Sequence, residues 1–384
     1  MLNDVLSKVR AREYPPPRGG IFLNAASWGL IPESATREAA DFTRRRNLPH
    51  GFEMAEPGQI QRRARTAVAA LLDVASDEVA LVPNTSFGVN LGAALAAAGR
   101  IGTIVLSQGE FPANVFPWKM LEARGFRVAV IDADEWGRPR EDALLAALDD
   151  TDVCALAVSA VQFGSGYRSD LNTLGAACRE RDILFCVDAI QALGAVPLRP
   201  RECHIDVLAS GAQKWLCSPY GSGFAWVRKE VQERFDPPMV SWLAMEGSAR
   251  FEDMLDYEVA WRSNARKFEL ATLGLQDYLG MARSIEVFLE IGIEAIRDHI
   301  HGLHDLMIDW IDSRPEVTQV TPLDPLRRAG ILSFTHPRLH AAAESLEQAG
   351  VVISVREGAL RLAPHFYNTA DEIEAVLEIL EEQA

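Results

Sequence analysis

Between residues 79 and 228 the sequence returns repeatedly to short apolar runs: VALV (79–82), TIVLS (103–107), RVAVI (127–131), VCALAVS (153–159), ILFCV (183–187), DVLAS (206–210) and FAWVR (224–228). Runs without polar alternation make strands that must be covered on both faces. Helix-like segments at 86–98, 116–124, 141–148 and 171–181 lie between most of them, and QIQRRARTAVAALLD (59–73) reads as an amphipathic helix. Strands alternating with helices build a largely parallel sheet. The expected fold class is therefore α/β, with one large, mostly parallel seven-stranded sheet.

After about residue 275 the pattern changes. Long helical stretches (276–290, 293–313) precede strand-like runs at 330–335, 351–355 and 359–363, with helices at 338–349 and 370–383. This predicts a smaller C-terminal α+β domain. The expected division is an N-terminal segment (1–25) joining the site to the small domain, a large domain (26–275) and a small domain (276–384). YPPPRGG (14–20) reads as an extended lead-in, because its prolines cannot continue a helix. With 48% apolar residues among 384, the chain can bury cores of this size.

Open α/β sheets bind ligands at the carboxyl ends of their strands. That rule selects NTSFGVN (84–90), GEFPANVFPW (109–118), SAVQFGSGYRSD (159–170), DAIQ (188–191) and SGAQKW (210–215). Two charges stand out: Asp188 after an apolar run, and Lys214 one strand later. Lysine and aspartate are seldom buried without a partner. A ligand lying between them would need both.

Several ligand classes are disfavoured. The net charge of −16, with no Lys/Arg-rich run, argues against nucleic acid or an anionic membrane as partner. No stretch reaches membrane-spanning length and the N-terminus has no signal-peptide core, so the cytoplasm is the expected location. Cys154, Cys178, Cys186, Cys203 and Cys217 form no CxxC pair and read as reduced thiols. There is no P-loop, no GxGxxG after the first strand, no HExxH and no GxSxG. In HIHGLH only His301 and His304 share a helix face, so no metal site is expected.

The loops fit pyridoxal 5′-phosphate. That cofactor needs a lysine for its aldehyde, a carboxylate for its pyridine nitrogen, hydroxyls and a helix N-terminus for its phosphate, and a flat partner for its ring. Lys214 and Asp188 supply the first two. Thr85 and Ser86 open a helix, Phe111 can cover the ring, and Gln191 can reach the ring's phenolic oxygen.

With these motifs in view, the chain resembles the class V aminotransferase family of fold-type I pyridoxal-phosphate enzymes, from IFLNAASWGLIP (21–32) to LRLAPHFYNTADEIE (360–374). That group includes cysteine desulfurases, selenocysteine lyases, kynureninases and isopenicillin-N-epimerase-like proteins. The resemblance implies cofactor-binding roles for Thr85, Ser86, Phe111, Asp188, Gln191, Ser210, Gln213 and Lys214. It implies substrate-binding roles for Asn24, Ala25, Gln162 and Arg361, the last gripping the α-carboxylate. RKFELATL (266–273) is similar to a motif whose threonine, here Thr272, reaches the partner subunit's phosphate; the resemblance thus implies a homodimer with shared active sites.

Some positions depart from the family pattern. Gln213 stands where histidine is usual, and Ser210 lies four residues before the lysine rather than three. Ala271 replaces a glycine, and Ala160 replaces an asparagine. Desulfurases carry a nucleophilic cysteine shortly before the carboxylate-binding arginine. Here GVVISVREGALRLAPHFYNT (350–369) has none, as in the epimerase-like and kynureninase-like branch. Arg356 in that stretch is either a second anion anchor or a surface ion-pair residue. The expected activity is a C–S lyase acting by β-elimination on a cysteine-derived substrate. The alternatives are an amino-acid epimerase, an aminotransferase, or a catalytically inactive cofactor-binding protein.

Overall fold

The computed structural model describes residues 2–15, 19–248, 252, 255 and 257–382. Residues 16–18 of the expected proline-rich lead-in lie outside the described residues.

The twelve described strands are β1 (Ile21–Phe22), β2 (Val79–Val82), β3 (Thr103–Ser107), β4 (Arg127–Ile131), β5 (Val153–Ser159), β6 (Leu184–Asp188), β7 (Val207–Gly211), β8 (Gly223–Val227), β9 (Leu332–Phe334), β10 (Val351–Val352), β11 (Ser354–Arg356) and β12 (Ala359–Leu362). Seven of them form the large sheet in the order β2-β8-β7-β6-β5-β3-β4. β8 runs antiparallel to both neighbours and every other pair is parallel. All residues of β2, β3, β5, β7 and β8 are buried, as the unbroken apolar runs require. Alternate residues feed opposite cores. Leu208, Phe224 and Trp226 belong to one cluster, Val207, Ala209, Ala225 and Val227 to the other.

The chain steps outward from β3 to β4, then returns to β5 and proceeds the other way to β6 and β7. The reversal leaves a crevice between the carboxyl ends of β3 and β5, where open α/β sheets take ligands.

The first four described helices are α1 (Leu2–Glu13), α2 (Glu33–Arg45), α3 (Glu56–Leu72) and α4 (Thr85–Ala98). α4 lies against the sheet so closely that a Cβ on Gly88 would fall 2.6 Å from the Ala209 Cβ. Small residues along TSFGVNLGAALAAA permit that approach.

The C-terminal part carries the antiparallel sheet β11-β12-β9 over its own core of Leu303, Met307, Leu332, Phe334 and Leu360. The expected strand 351–355 is interrupted at Ile353. β10 pairs in parallel with β1, whereas β11 turns back onto β12. The N-terminal segment is thereby stitched to the C-terminal sheet, and Asn24 continues the connection by bridging to Ala363.

Candidate active site

Asp188 ends β6 and Lys214 follows β7, the strand beside it. Asp188 is 4% exposed, and its Oδ1 accepts from the Ile190 N–H at 3.0 Å. Burial pushes its carboxyl up to about 6, against the opposing pull of that N–H and of Lys214. Lys214 is partly buried, and burial draws its ammonium down to about 8; Asp188 resists the shift, while Arg361 and Arg356 add to it. Among the described residues, Lys214 Nζ makes no hydrogen bond. It lies 5.6 Å from the Phe111 ring centroid. The contrast is Lys267, which is buried and whose Nζ is held by the carbonyls of Gln232 and Phe235 at 2.6 and 2.9 Å. Lys214 is thus the free amine of this pair.

The helix α4 starts beside the lysine loop. Asn84 caps it, accepting from the Phe87 N–H at 2.9 Å. Thr85 is buried and its Oγ1 accepts from the Gly211 N–H at 2.7 Å, whereas Ser86 is exposed on the first turn. A Cβ on Gly211 would meet Gln213 Oε1 at 2.4 Å and Thr85 Oγ1 at 3.2 Å. The missing side chain is therefore the space that the Gln213 amide enters, and this brings Gln213 to the α4 N-terminus. Ser210 lies on the opposite strand face by alternation, and its hydroxyl donates to the Gly211 carbonyl at 2.9 Å.

Gln191 is buried and held at both ends: its Oε1 accepts from Trp215 Nε1 at 2.8 Å, and its Nε2 donates to the Ala26 carbonyl at 3.1 Å. One Nε2 proton remains for a further acceptor.

Arg361 is 2% exposed on β12. Its Nε donates to Ser354 Oγ at 3.0 Å, Nη1 to the Phe163 carbonyl at 2.8 Å and Nη2 to Ser27 Oγ at 3.0 Å. Among the described residues, no carboxylate lies within ion-pair distance. Burial first, then Arg356, draws the guanidinium down to about 10. An enclosed cation held only by neutral oxygens is prepared for an anion from outside. Ser27 Oγ donates to Asn24 Oδ1 at 2.8 Å, and the Ala25 N–H donates to the Ala363 carbonyl at 3.1 Å, so the N-terminal segment wraps the arginine.

Gln162 lies at the end of the crevice, buried. Its Nε2 donates to Glu110 Oε1 at 2.9 Å, and its Oε1 has no partner among the described residues. Glu110 bridges the crevice itself. It accepts from the Ser159 N–H at 2.7 Å, the Ser159 hydroxyl, Asn114 Nδ2 at 2.9 Å and Gln162. Burial raises its carboxyl despite these four donors. Glu110 and Ser27 are absent from the residues expected on sequence. Glu110 had a signal, being a carboxylate just past an apolar strand; Ser27 had none.

Thr272 is not gathered with the others in the single chain. It is exposed, in the loop before the helix Leu275–Ile291, with φ of 61°. A β-branched residue in that region is strained unless its surroundings require it.

The residues fit pyridoxal 5′-phosphate on this geometry. The free, partly buried amine of Lys214, the buried carboxyl of Asp188 and the open N-terminus of α4 converge at adjacent strand ends. Phe111, 45% exposed, offers a ring face beside the amine.

Comparisons with known proteins agree. The family model for aminotransferase class-V matches residues 24–376. The chain is 26% identical over 366 residues to the uncharacterized aminotransferase YcbU of Bacillus subtilis, covering 95% of each. It is 26% identical over 397 residues to a probable cysteine desulfurase of Methanothermobacter thermautotrophicus, covering 97% of each. The apo structure of the cysteine desulfurase from Thermococcus onnurineus NA1 superposes with a TM-score of 0.86 at 22% identity, covering 98% of this chain and 97% of that one.

Proposed function

The chain belongs to the class V aminotransferase family, and on that premise we propose that it is a pyridoxal 5′-phosphate-dependent C–S lyase. The substrate is a cysteine-derived amino acid, and water, thiol, pyruvate and ammonia balance the reaction. The observation that carries the lyase over the desulfurase reading is the turn between β11 and β12. It consists of Glu357 and Gly358 alone, and no loop there holds a thiol. The cysteine nearest the lysine, Cys217, is buried, and burial pushes its thiol up to about 12.

Pyridoxal phosphate, when bound, supplies an electron sink that acidifies the Cα proton of an amino acid. In this reading Lys214 holds the cofactor, and Asp188 keeps a proton on the ring nitrogen. Thr85, Ser86 and Gln213 take the phosphate at the N-terminus of α4. Arg361 would bind the α-carboxylate and so orient the Cα–H bond for proton removal. Lys214, once free, takes the Cα proton; an amine poised near pH 8 is suited to that task. With Lys214 holding that proton, the Cβ–S bond of the substrate would break and its electron pair would leave on sulfur.

We extend the reading to a homodimer in which Thr272 serves the partner's phosphate. Exposed apolar side chains at Val240, Trp242, Tyr257 and Val259 support a covered surface. Among the described residues no helix is long and apolar enough to cross a membrane.

The test is a screen of cysteine thioethers. Release of pyruvate and thiol supports the lyase. Exchange of the Cα proton for deuterium without net consumption points instead to an epimerase. Conversion of added 2-oxo acids points to an aminotransferase, and silence with bound cofactor to a binding protein.

A further inference from the structure

A cavity of about 500 Å³ is lined by Glu110 and Gln162, which it shares with the candidate site, and by Phe163, Trp136 and Arg356. It is far larger than the side chain of cysteine. Its electrostatics follow from the β11–β12 register, in which Ser354 faces Arg361 and Arg356 faces Ala359. Strand alternation then puts Ser354, Arg356, Ala359 and Arg361 on one face. Two guanidinium groups thus leave the hairpin side by side. Arg361, enclosed, is committed to the α-carboxylate.

Arg356 is exposed. Its Nη1 donates only to the adjacent Val355 carbonyl, at 2.7 Å, and no carboxylate of the described residues lies within ion-pair distance. The acids of the cavity do not compensate it. Asp134 is bound to Arg138, and Glu110 is enclosed by its own donors. Glu135 and Glu357 are exposed. The charge of Arg356 is felt at both Lys214 and Arg361.

We propose that the substrate's side chain carries a second anionic group, which lies in this cavity against Arg356 while Phe163 and Trp136 cover the linking atoms. This rests on the lyase reading above and narrows its substrate class to acidic cysteine conjugates.

The test compares S-(2-carboxyethyl)-L-cysteine with S-(2-carbamoylethyl)-L-cysteine, near-isosteric except for charge. Binding is read from the change in the cofactor's visible absorbance in the wild-type holoenzyme and in Arg356→Gln. The acid is expected to bind about tenfold more tightly than the amide, as a charged hydrogen bond would give. In Arg356→Gln, checked for an unchanged cofactor band, the preference disappears while amide binding stays the same. Equal binding of the two by wild-type protein overturns the proposal and leaves the lyase reading intact. Equal weakening of both in the variant also overturns it, because Arg356 then serves the α-carboxylate. If neither compound perturbs the cofactor, the lyase reading and this inference fall together.

Discussion

Arg361 donates to the hydroxyl of Ser27 across 3.0 Å, joining a C-terminal strand to the N-terminal segment. Because Ser27 donates onward to Asn24, the arginine is oriented by a relay rather than by an opposite charge. Ser27→Ala is predicted to raise KM for the amino-acid substrate by about threefold to tenfold, the worth of one hydrogen bond, with little change in kcat. Arg361→Leu is predicted to lower kcat/KM by about a hundredfold or more. Steady-state kinetics of the two variants checks both. Equal effects would mean that Ser27 does more than position.

The free amine of Lys214 sets a pH dependence. Its ordinary value of 10.5 is drawn down to about 8, chiefly by burial. Only the neutral amine can attack an aldehyde, and its fraction grows as pH rises. The rate at which apoprotein captures pyridoxal phosphate should climb about tenfold per pH unit below pH 8 and level off above it. Asp188 opposes the downward shift, so Asp188→Asn should move the break to lower pH. Stopped-flow absorbance from pH 6.5 upward, at roughly half-unit steps, reads this directly. A rate still climbing tenfold per unit at pH 10 would contradict it.

The lysine loop leans on Gly29. The Gly29 N–H donates to the Gln213 carbonyl at 2.8 Å, and a Cβ there would sit 2.2 Å from the Lys214 carbonyl and 2.6 Å from Cys217 Sγ. Backbone cannot yield as a flexible side chain can. Gly29→Ala is predicted to cost about 1–3 kcal/mol in a denaturant titration and to reduce cofactor occupancy. Gly302→Ala is the control: it lies within a helix with nothing within 4 Å, and should be neutral or slightly stabilising.

Much of this site was legible in the sequence for a simple reason. Strands buried on both faces are unbroken apolar runs, and β2, β3, β4 and β5 begin and end where those runs do. A polar residue at the end of such a run must be there for a ligand or a partner, which is how Asp188 and Lys214 stand out. The same logic reaches Glu110, but three of its four donors come from Ser159 and Gln162, about fifty residues on, and only folding gathers them. The helices α1 and α2 escape notice because their buried faces are narrow, with Phe42 the one large buried side chain of α2. Ser27 has no signature: it matters through an arginine more than three hundred residues away. The break at Ile353 is equally invisible, since two partners, β1 and β12, compete for one apolar run.

Thr272 supplies a test of the dimer. Its φ of 61° suits glycine better than threonine. In the proposed dimer, Thr272→Gly should leave the apoprotein as stable or more so, yet weaken cofactor binding, because it removes the hydroxyl proposed to serve the partner's phosphate. Thr272→Ser should retain affinity. Thermal melts with and without pyridoxal phosphate separate the two effects. Unchanged affinity in Thr272→Gly would remove Thr272 from the cofactor site.

Of the two lysines described above, the amine at position 214 is the one proposed to hold pyridoxal phosphate. The direct measurement is borohydride reduction of the purified holoenzyme, followed by proteolysis and mass spectrometry of the labelled peptide. A single reduced adduct is expected on Lys214, absent from Lys214→Ala, which loses the visible band. An adduct on Lys267 or any other lysine, or a band that persists unchanged in Lys214→Ala, would contradict it.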